Sequence, residues 1–485
     1  MKEYNELFIG GQWEKPSGPG MIKVVSPSTE EVIGSVPEGT TEDIDKAVLA
    51  ARNAFDNGRW PRMEPAERAE ILKKVALGIQ SDAQGFANEI ANEVGSPVSW
   101  GMAAQVLAPV FIFNYYAGLA STYSFEELRQ GVLGQAVVMK DPVGVVGAIA
   151  PWNVPLFIAA AKIAPALLAG CTVVYKPAPE TPLCNNRLAE LFESAGLPEG
   201  VLSMIPAGRE VGEHLVTHPG VDKISFTGST VAGKKIGALC AERMKRFSLE
   251  LGGKSAAIVL DDVNIDEVLQ ALVLAGTMNN GQACVAQTRI LVPDSRYKEI
   301  TDALVERVSS MTVGDPADSA TEVGPLIAER QRDRVESYIS IGKEEGAKVA
   351  TGGGRPEKLE HGWYVEPTVF VDTDNSMRVA REEIFGPVLA VMPYVDVDEA
   401  IEIANDSPYG LAGTVWSSDP QRALDVAKKV RTGSTTINNF LLDFAVPFGG
   451  YRESGMGREF GPEGLELFLE TKAINLPHGF TPSIA

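Results

Sequence analysis

Residues 144–176 read GVVGAIAPWNVPLFIAAAKIAPALLAGCTVVYK: a β-branched run, an apolar stretch of helical length, and a second β-branched run. Parallel strands need a long crossover between them, and a helix is the usual one, so this pattern predicts a βαβ unit. The alternation continues through a helical segment at 185–195, the run VLSMIP, a helix after Gly208, the run KISFTG and a further helix from about Val231. A series of this kind predicts a parallel sheet with helices on both faces. Open parallel sheets bind ligands beyond the carboxyl ends of their strands, which is where Asn153, Lys176 and Gly228 fall.

Working outward, a second strand and helix series begins at SAAIVL, passes through a helix at 265–278 and the run TRILV, and ends near TTINN. It predicts a second α/β unit. Upstream, 41–55 and 65–94 carry amphipathic helical patterns, and 99–119 is a third helix, long and apolar. The segment near 130–140 and the C-terminal ETKAINLP read as strands that leave either unit, a common arrangement for subunit contacts. No internal repeat or low-complexity segment interrupts the chain.

A length of 485 residues implies two or three domains. Apolar residues at 45% and charged residues at 22% match a folded globular protein. The formal charge of −21 repels nucleic acid and anionic membrane, so the expected partner is a small molecule. The opening MKEYNELFIGGQW lacks the basic end and apolar run of a signal peptide, and export is not expected. Residues 142–161 have spanning length but hold Pro142, Pro151 and Pro155, which suits a buried strand, turn and helix better than a lipid-facing segment. Cys171, Cys184, Cys240 and Cys284 form no spacing pattern and read as reduced thiols in cytoplasm. His214 and His218 stand four apart, but with no third ligand nearby in sequence and no metalloprotease glutamate, no metal site is expected.

Two stretches carry chemistry. In NNGQACVAQTR, residues 279–289, Cys284 is either a buried space-filling thiol or a nucleophile, and its small, polar neighbours favour exposure. In GSTVAGKK, residues 228–235, Lys235 stands where a Walker loop needs Ser or Thr, and the dinucleotide pattern G-x-G-x-x-G is absent as well. What remains is a strand followed by Gly228 and Ser229 at a helix start, which serves either as a phosphate site or as a plain helix cap.

Taken in order, PWNVP at Pro151, YKPAPETP at Tyr175, FTGSTVAG at Phe226, LELGGK at Leu249, GQAC at Gly281, EEIFGPV at Glu382 and PFGGYRESGMGRE at Pro447 resemble the motifs of the NAD(P)-dependent aldehyde dehydrogenase superfamily. The match covers essentially the whole chain. It implies an α/β fold with a Rossmann-like parallel-sheet cofactor domain at 1–118 and 140–251, and a second α/β catalytic domain at 252–452. A small β bridging and oligomerisation region at 119–139 and 453–485 would build a dimer or tetramer.

The same resemblance implies the chemistry. An aldehyde carbon releases hydride only after a nucleophile has added to it, and Cys284 resembles that nucleophile. Asn153, with the backbone N–H of Cys284, would hold the oxyanion, and loss of one such donor costs roughly 10²–10³ in rate. Glu250 resembles the general base that hydrolyses the thioester, which implies a free acid as product rather than acyl transfer to coenzyme A. For the cofactor the resemblance implies Lys176 at the adenosine ribose and Ser229 at the pyrophosphate beside Gly228 and Gly233. Glu383 would hold the nicotinamide ribose, with Phe385, Trp152 and Pro151 around the nicotinamide. Lys162 and Glu459 are either structural or part of a proton path.

Two departures from the family pattern bear on specificity. Many NAD-preferring members place glutamate three positions after the lysine; here that position is Pro179 and Glu180 follows it, leaving NAD as the expected cofactor with NADP possible. Some members that act on small aldehydes carry tryptophan where this chain has Ala161, so a wider tunnel for bulkier aldehydes is expected. Residues at 100–116, 154–161 and 440–446 are mostly apolar and disfavour a charged semialdehyde. The competing reading is a cysteine-dependent acyl transferase or thioester hydrolase without redox chemistry, against which Lys176, Glu383 and Phe385 argue.

Overall fold

The computed structural model describes residues 2–480 and Pro482. Val145–Ile149 lies at the centre of the first large sheet, paired in parallel with Thr172–Lys176 on one side and Lys223–Thr227 on the other. Leu202–Met204 and Arg246–Glu250 extend the parallel array outward. The chain therefore builds two strands to one side of its first, then crosses to the other side, and the crossing leaves a crevice between Val145–Ile149 and Lys223–Thr227. Such a topological switch point is the usual ligand site of a doubly wound sheet.

The helix Pro155–Ala169 shows how the sequence secures this sheet. Pro155 at its start has no N–H to leave unsatisfied. Gly170, at φ 96°, closes the helix in the left-handed conformation and donates its N–H back to the last turn. Every residue except Phe157 is buried, so the helix is apolar all round because it is enclosed all round. Each buried Leu or Ile contributes about 1.5–3 kcal/mol against exposure.

The second large sheet has seven strands centred on Ala256–Val259, flanked in parallel by Arg289–Pro293 and Ala412–Trp416. Val388–Tyr394 and Thr368–Val371 extend one side, where Lys348–Thr351 adds an antiparallel edge, and Ser434–Ile437 extends the other. The small antiparallel sheet is Glu126–Gln130, Gln135–Pro142 and Leu469–Asn475.

Several details differ from the sequence reading. The helix expected at 65–94 is two helices, Pro65–Ser81 and Ala83–Val94, broken at Asp82. The helix at 99–119 contains a π-helical stretch, Met102–Leu107, ahead of Ala108–Leu119. Pro109 lacks the N–H that would bond the carbonyl four residues back, which explains why the winding loosens there. This apolar segment is long enough to cross a membrane by composition, yet it packs inside the molecule against Pro65–Ser81 and Pro155–Ala169.

The strand at 130–140 is a hairpin with Val132 and Leu133 fully exposed at its tip. Segment 453–485 is divided: Gly455–Met456 adds to the edge of the first sheet beside Arg246–Glu250, and Leu469–Asn475 joins the small one. At the N-terminus Leu7–Ile9 and Gln12–Glu14 extend the first sheet beyond Leu202–Met204, and Lys2–Glu3, Met21–Val25 and Val32–Pro37 form a further small sheet. Most of these strands are too short for an alternating pattern to register.

Candidate active site

Cys284 lies in the loop between the helix Ile265–Thr277 and the strand Arg289–Pro293. Three successive residues in left-handed conformation, Asn279, Asn280 and Gly281, bend the chain into that loop. Asparagine and glycine are the residues that accept this conformation most readily. A Cβ on Gly281 would sit 2.1 Å from the Gly386 backbone, so the cysteine loop and the EEIFG loop touch main chain to main chain. Cys171, Cys184 and Cys240 are buried, and Cys284 alone keeps partial exposure.

Around Cys284 the structure gathers buried polar groups from both large sheets. Asn153, 3% exposed, donates from Nδ2 to the Gln282 carbonyl at 2.8 Å, which joins the turn after Val145–Ile149 to the cysteine loop. Glu250 ends the strand Arg246–Glu250 and is 5% exposed; its Oε2 has no partner among the described residues. Burial, and then the nearby Glu459 carboxylate, pushes the Glu250 carboxyl well above the ordinary range against the pull of Lys162 and Arg458. Lys162 lies buried between Glu459 Oε1 at 2.8 Å and Ser225 Oγ at 3.2 Å. Lys162 and Glu459 thus form a buried ion pair next to Glu250, which gives both a place in the site's electrostatics.

The Cys284 thiol is pushed up to about 12 by burial first and then by Glu383 and Glu250. An unperturbed thiol is a few per cent thiolate at neutral pH. The folded site raises Cys284 above that ordinary range, first by burial and then by the two neighbouring carboxyl groups.

The residues assigned to the cofactor line the same edge. Lys176 is nearly fully buried, and its ammonium donates to the carbonyls of Pro177 at 3.0 Å and Ala207 at 2.7 Å. Burial pulls it down to about 8, against the pull of Glu180. Ser229 caps the helix Thr230–Glu242 by accepting from the Ala232 N–H, leaving N–H groups of that helix start directed outward. Thr227 Oγ1 beside them is buried without a partner among the described residues. A Cβ on Gly228 would strike the Phe226 ring at 2.5 Å and one on Gly233 the Leu251 side chain at 2.4 Å, so both glycines are needed for the close approach of strand and helix.

Glu383 accepts the Gly253 N–H at 3.0 Å, and burial raises its carboxyl. Phe385, at φ 64°, presents its ring edge-on to Trp152 at 5.3 Å. Pro151 precedes Trp152 at the start of the same turn. An orphaned hydroxyl, free N–H groups at a helix start, a two-anchored lysine and a carboxylate with one oxygen unclaimed form a donor and acceptor set that fits a dinucleotide.

Some groups were not visible from sequence. Gln331 and Arg334, on the helix Glu329–Glu344, donate to the Phe385, Ile384 and Glu383 carbonyls and so hold the EEIFG loop in place. Nothing in their local pattern signals this. Arg330 pairs with Glu180, so an arginine does stand near the Lys176 loop although none is close in sequence. Asp45 also supplies the third group that was missing beside His214 and His218: its Oδ1 lies 2.6 Å from His214 Nε2 and 3.3 Å from His218 Nε2. The Gly220 N–H donates to His218 Nδ1, which puts the His218 proton on Nε2, facing Asp45. A ligating imidazole would carry it on the other nitrogen, so the cluster is a hydrogen-bonded tie between the helices Thr41–Asp56 and Arg209–Thr217.

Comparison with known proteins agrees with this geometry. The aldehyde dehydrogenase family pattern matches residues 13–474. A geranial dehydrogenase of Castellaniella defragrans is 46% identical, with 98% of this chain and 99% of that one covered. A 3-succinoylsemialdehyde-pyridine dehydrogenase of a Pseudomonas species is 44% identical over the same shares. A crystal structure of a Mycobacterium tuberculosis aldehyde dehydrogenase complexed with NAD+ superposes with a TM-score of 0.98 at 50% identity, covering 99% of this chain and 100% of the other. A Pseudomonas syringae aldehyde dehydrogenase mutant with NAD+ and octanal gives 0.95 at 40% identity, covering 99% and 98%. The chain belongs to the aldehyde dehydrogenase family. Its activity is oxidation of an aldehyde.

Iodoacetamide is expected to label Cys284 before the other three cysteines, since it alone is partly exposed. Because its thiol is raised to about 12, the labelling rate of the free enzyme should keep climbing with pH through the alkaline range. A plateau near pH 8 would contradict the carboxylate-rich surroundings described above.

Proposed function

We propose that the chain oxidises bulky apolar aldehydes to free carboxylic acids, with NAD as hydride acceptor and a thioester on Cys284 as intermediate. One observation carries the substrate class. Cys284 packs on the same apolar core as Phe157, Phe440, Leu442, Phe444, Trp100 and Met102. Phe157, Phe444 and Phe460 meet ring to ring at 5.3–6.0 Å. Ala161 lies one turn after Phe157 on the same helix face and is buried with that cluster, so the small side chain leaves the Phe157 ring as the local wall. A geranial dehydrogenase and an octanal-bound structure among the relatives support the same class.

In this reading the Cys284 sulfur, once its proton has passed to a base, adds to the aldehyde carbon. The carbonyl oxygen becomes an oxyanion held by Asn153 Nδ2 and the Cys284 N–H. One Nδ2 hydrogen is committed to the Gln282 carbonyl, which fixes the amide plane and leaves the other for the oxyanion. Glu383, Phe385 and Trp152 would hold the nicotinamide of NAD, which would supply the hydride acceptor. Collapse leaves the acyl group on Cys284. Glu250 then takes a proton from water, the hydroxide adds to the thioester carbon, and the C–S bond breaks to return the sulfur and release the acid.

The raised Glu250 carboxyl is suited to this task, because raising a carboxylate makes it a stronger base toward water. Lys176 and Ser229 at the adenosine ribose and pyrophosphate, with Gly228, Gly233 and Pro151 shaping the approach, complete the cofactor assignment. The chain divides into a cofactor unit, a catalytic unit and the small bridging sheet, whose strand Leu469–Asn475 is exposed along most of its length and fits assembly of a homo-oligomer, a tetramer by preference. The acidic surface and the run of unpaired cysteines suit the cytoplasm.

Cys284→Ser is expected to reduce turnover to below about a hundredth of wild type, because a hydroxyl lacks the thiolate's nucleophilicity. Glu250→Gln should give a burst of NADH close to one equivalent followed by slow turnover, and steady-state kcat of the wild type should rise with pH while that of the variant stays flat. Unchanged turnover in the variant removes Glu250 from the base role. Medium-chain and aromatic aldehydes should exceed succinic semialdehyde in kcat/KM by about tenfold or more, a ratio apolar contacts can supply. NAD should exceed NADP at fixed aldehyde, and the NADP share should fall further as pH rises through about 8, where Lys176 loses its proton. A clear NADP preference overturns the cofactor assignment.

A further inference from the structure

The bend ahead of Cys284 carries a side chain that the mechanism above does not use. Asn279, 2% exposed, donates from Nδ2 to the Asn153 carbonyl at 2.9 Å and to the Gln282 carbonyl at 3.3 Å. Both partners only accept, so the amide must face them with its nitrogen and turn Oδ1 the other way. There Oδ1 accepts from Gln105 Nε2 at 3.3 Å. Gln105 is fully buried and sits within the π-helical stretch Met102–Leu107, an irregular winding of the kind that recurs at functional sites.

Asn153 is gripped twice as a result: its carbonyl by Asn279, and its side-chain amide by the Gln282 carbonyl that Asn279 also engages. Asn280, next in sequence, faces elsewhere, donating to the Gly95 and Pro325 carbonyls and accepting from the Gly324 N–H. The two adjacent asparagines share a backbone conformation but do different work: one fastens the loop to the scaffold, the other fastens it to Asn153.

We propose that Asn279, held by Gln105, is a positioning residue for the oxyanion donor: it fixes where the free Nδ2 hydrogen of Asn153 points relative to Cys284. The proposal rests on the oxyanion role given to Asn153 above. Its chemical logic is that an oxyanion donor contributes through preorganisation, and an amide free to rotate loses that contribution while leaving the fold and the cofactor site intact.

The test is a double-mutant cycle. Asn279→Gly keeps a left-handed backbone without strain and removes both donated bonds. With octanal and NAD as probes, it is expected to lower kcat/KM by about 10- to 100-fold, while the NAD Kd from fluorescence titration and the iodoacetamide rate at Cys284 stay within about twofold of wild type. In an Asn153→Ala background the same change should cost less than about twofold, since the group it positions is gone. A wild-type kcat/KM in Asn279→Gly, or an equal loss in both backgrounds, overturns the proposal. If Asn279→Gly does not fold, Gln105→Met enters the same cycle: a severalfold loss that vanishes in the Asn153→Ala background supports the proposal, and a loss that persists overturns it. Wild-type activity in Asn153→Ala alone would instead refute the oxyanion role itself, so the two failures are told apart.

Discussion

The bond from Asn153 Nδ2 to the Gln282 carbonyl, 2.8 Å long, is where the two large sheets meet at the reacting atom. Asn153 belongs to the turn after the central strand of one sheet, and Gln282 to the loop between two elements of the other. Every other feature of the site is arranged around keeping that junction closed. Gly281 lies against Gly386 with no room for a side chain, and Gly253 lies against the Cys284 carbonyl, where a Cβ would come within 2.5 Å. The glycines allow main chain to approach main chain, and the amides convert that approach into fixed hydrogen bonds.

Charge sets the second constraint. Glu250, Glu383 and Glu459 surround the thiol, with Lys162 and the Arg458 side chain as partial counterweights. Lys254, buried without a hydrogen-bond partner, is lowered to about 7 by burial and then by Arg289, so its charge near Glu383 is weak. Burial first, and then this acidity, raises the Cys284 thiol. Held beside Glu383 as proposed, the cationic ring of an oxidised nicotinamide would offset part of this negative charge.

The parallel sheets were legible because their strands are continuous β-branched runs separated by helices, as in 144–176. The motifs spaced along the chain singled out Cys284, Asn153 and Glu250, and the fold gathers these three in one site. What was hidden depends on groups brought together from far apart. Asp45 reaches the histidine pair across 169 residues of sequence, and Arg330 reaches Glu180 across 150. Gln331 and Arg334 act through backbone carbonyls, which leave no trace in composition. The π-helical stretch was hidden because Pro109 sits where a regular helix start would accept it, and only the fold shows that the helix had already begun. The raised Cys284 thiol follows from burial first, and then from carboxyl groups that no local pattern places together.

The central claim is that the acyl group passes through Cys284 and leaves with the help of Glu250. Mass spectrometry of Glu250→Gln enzyme, mixed with octanal and NAD and quenched in acid once NADH has formed, tests it directly. The account predicts that the peptide containing Cys284 gains the mass of one octanoyl group in place of one hydrogen, in proportion to the NADH produced. An unmodified Cys284 peptide alongside an equivalent of NADH would contradict it.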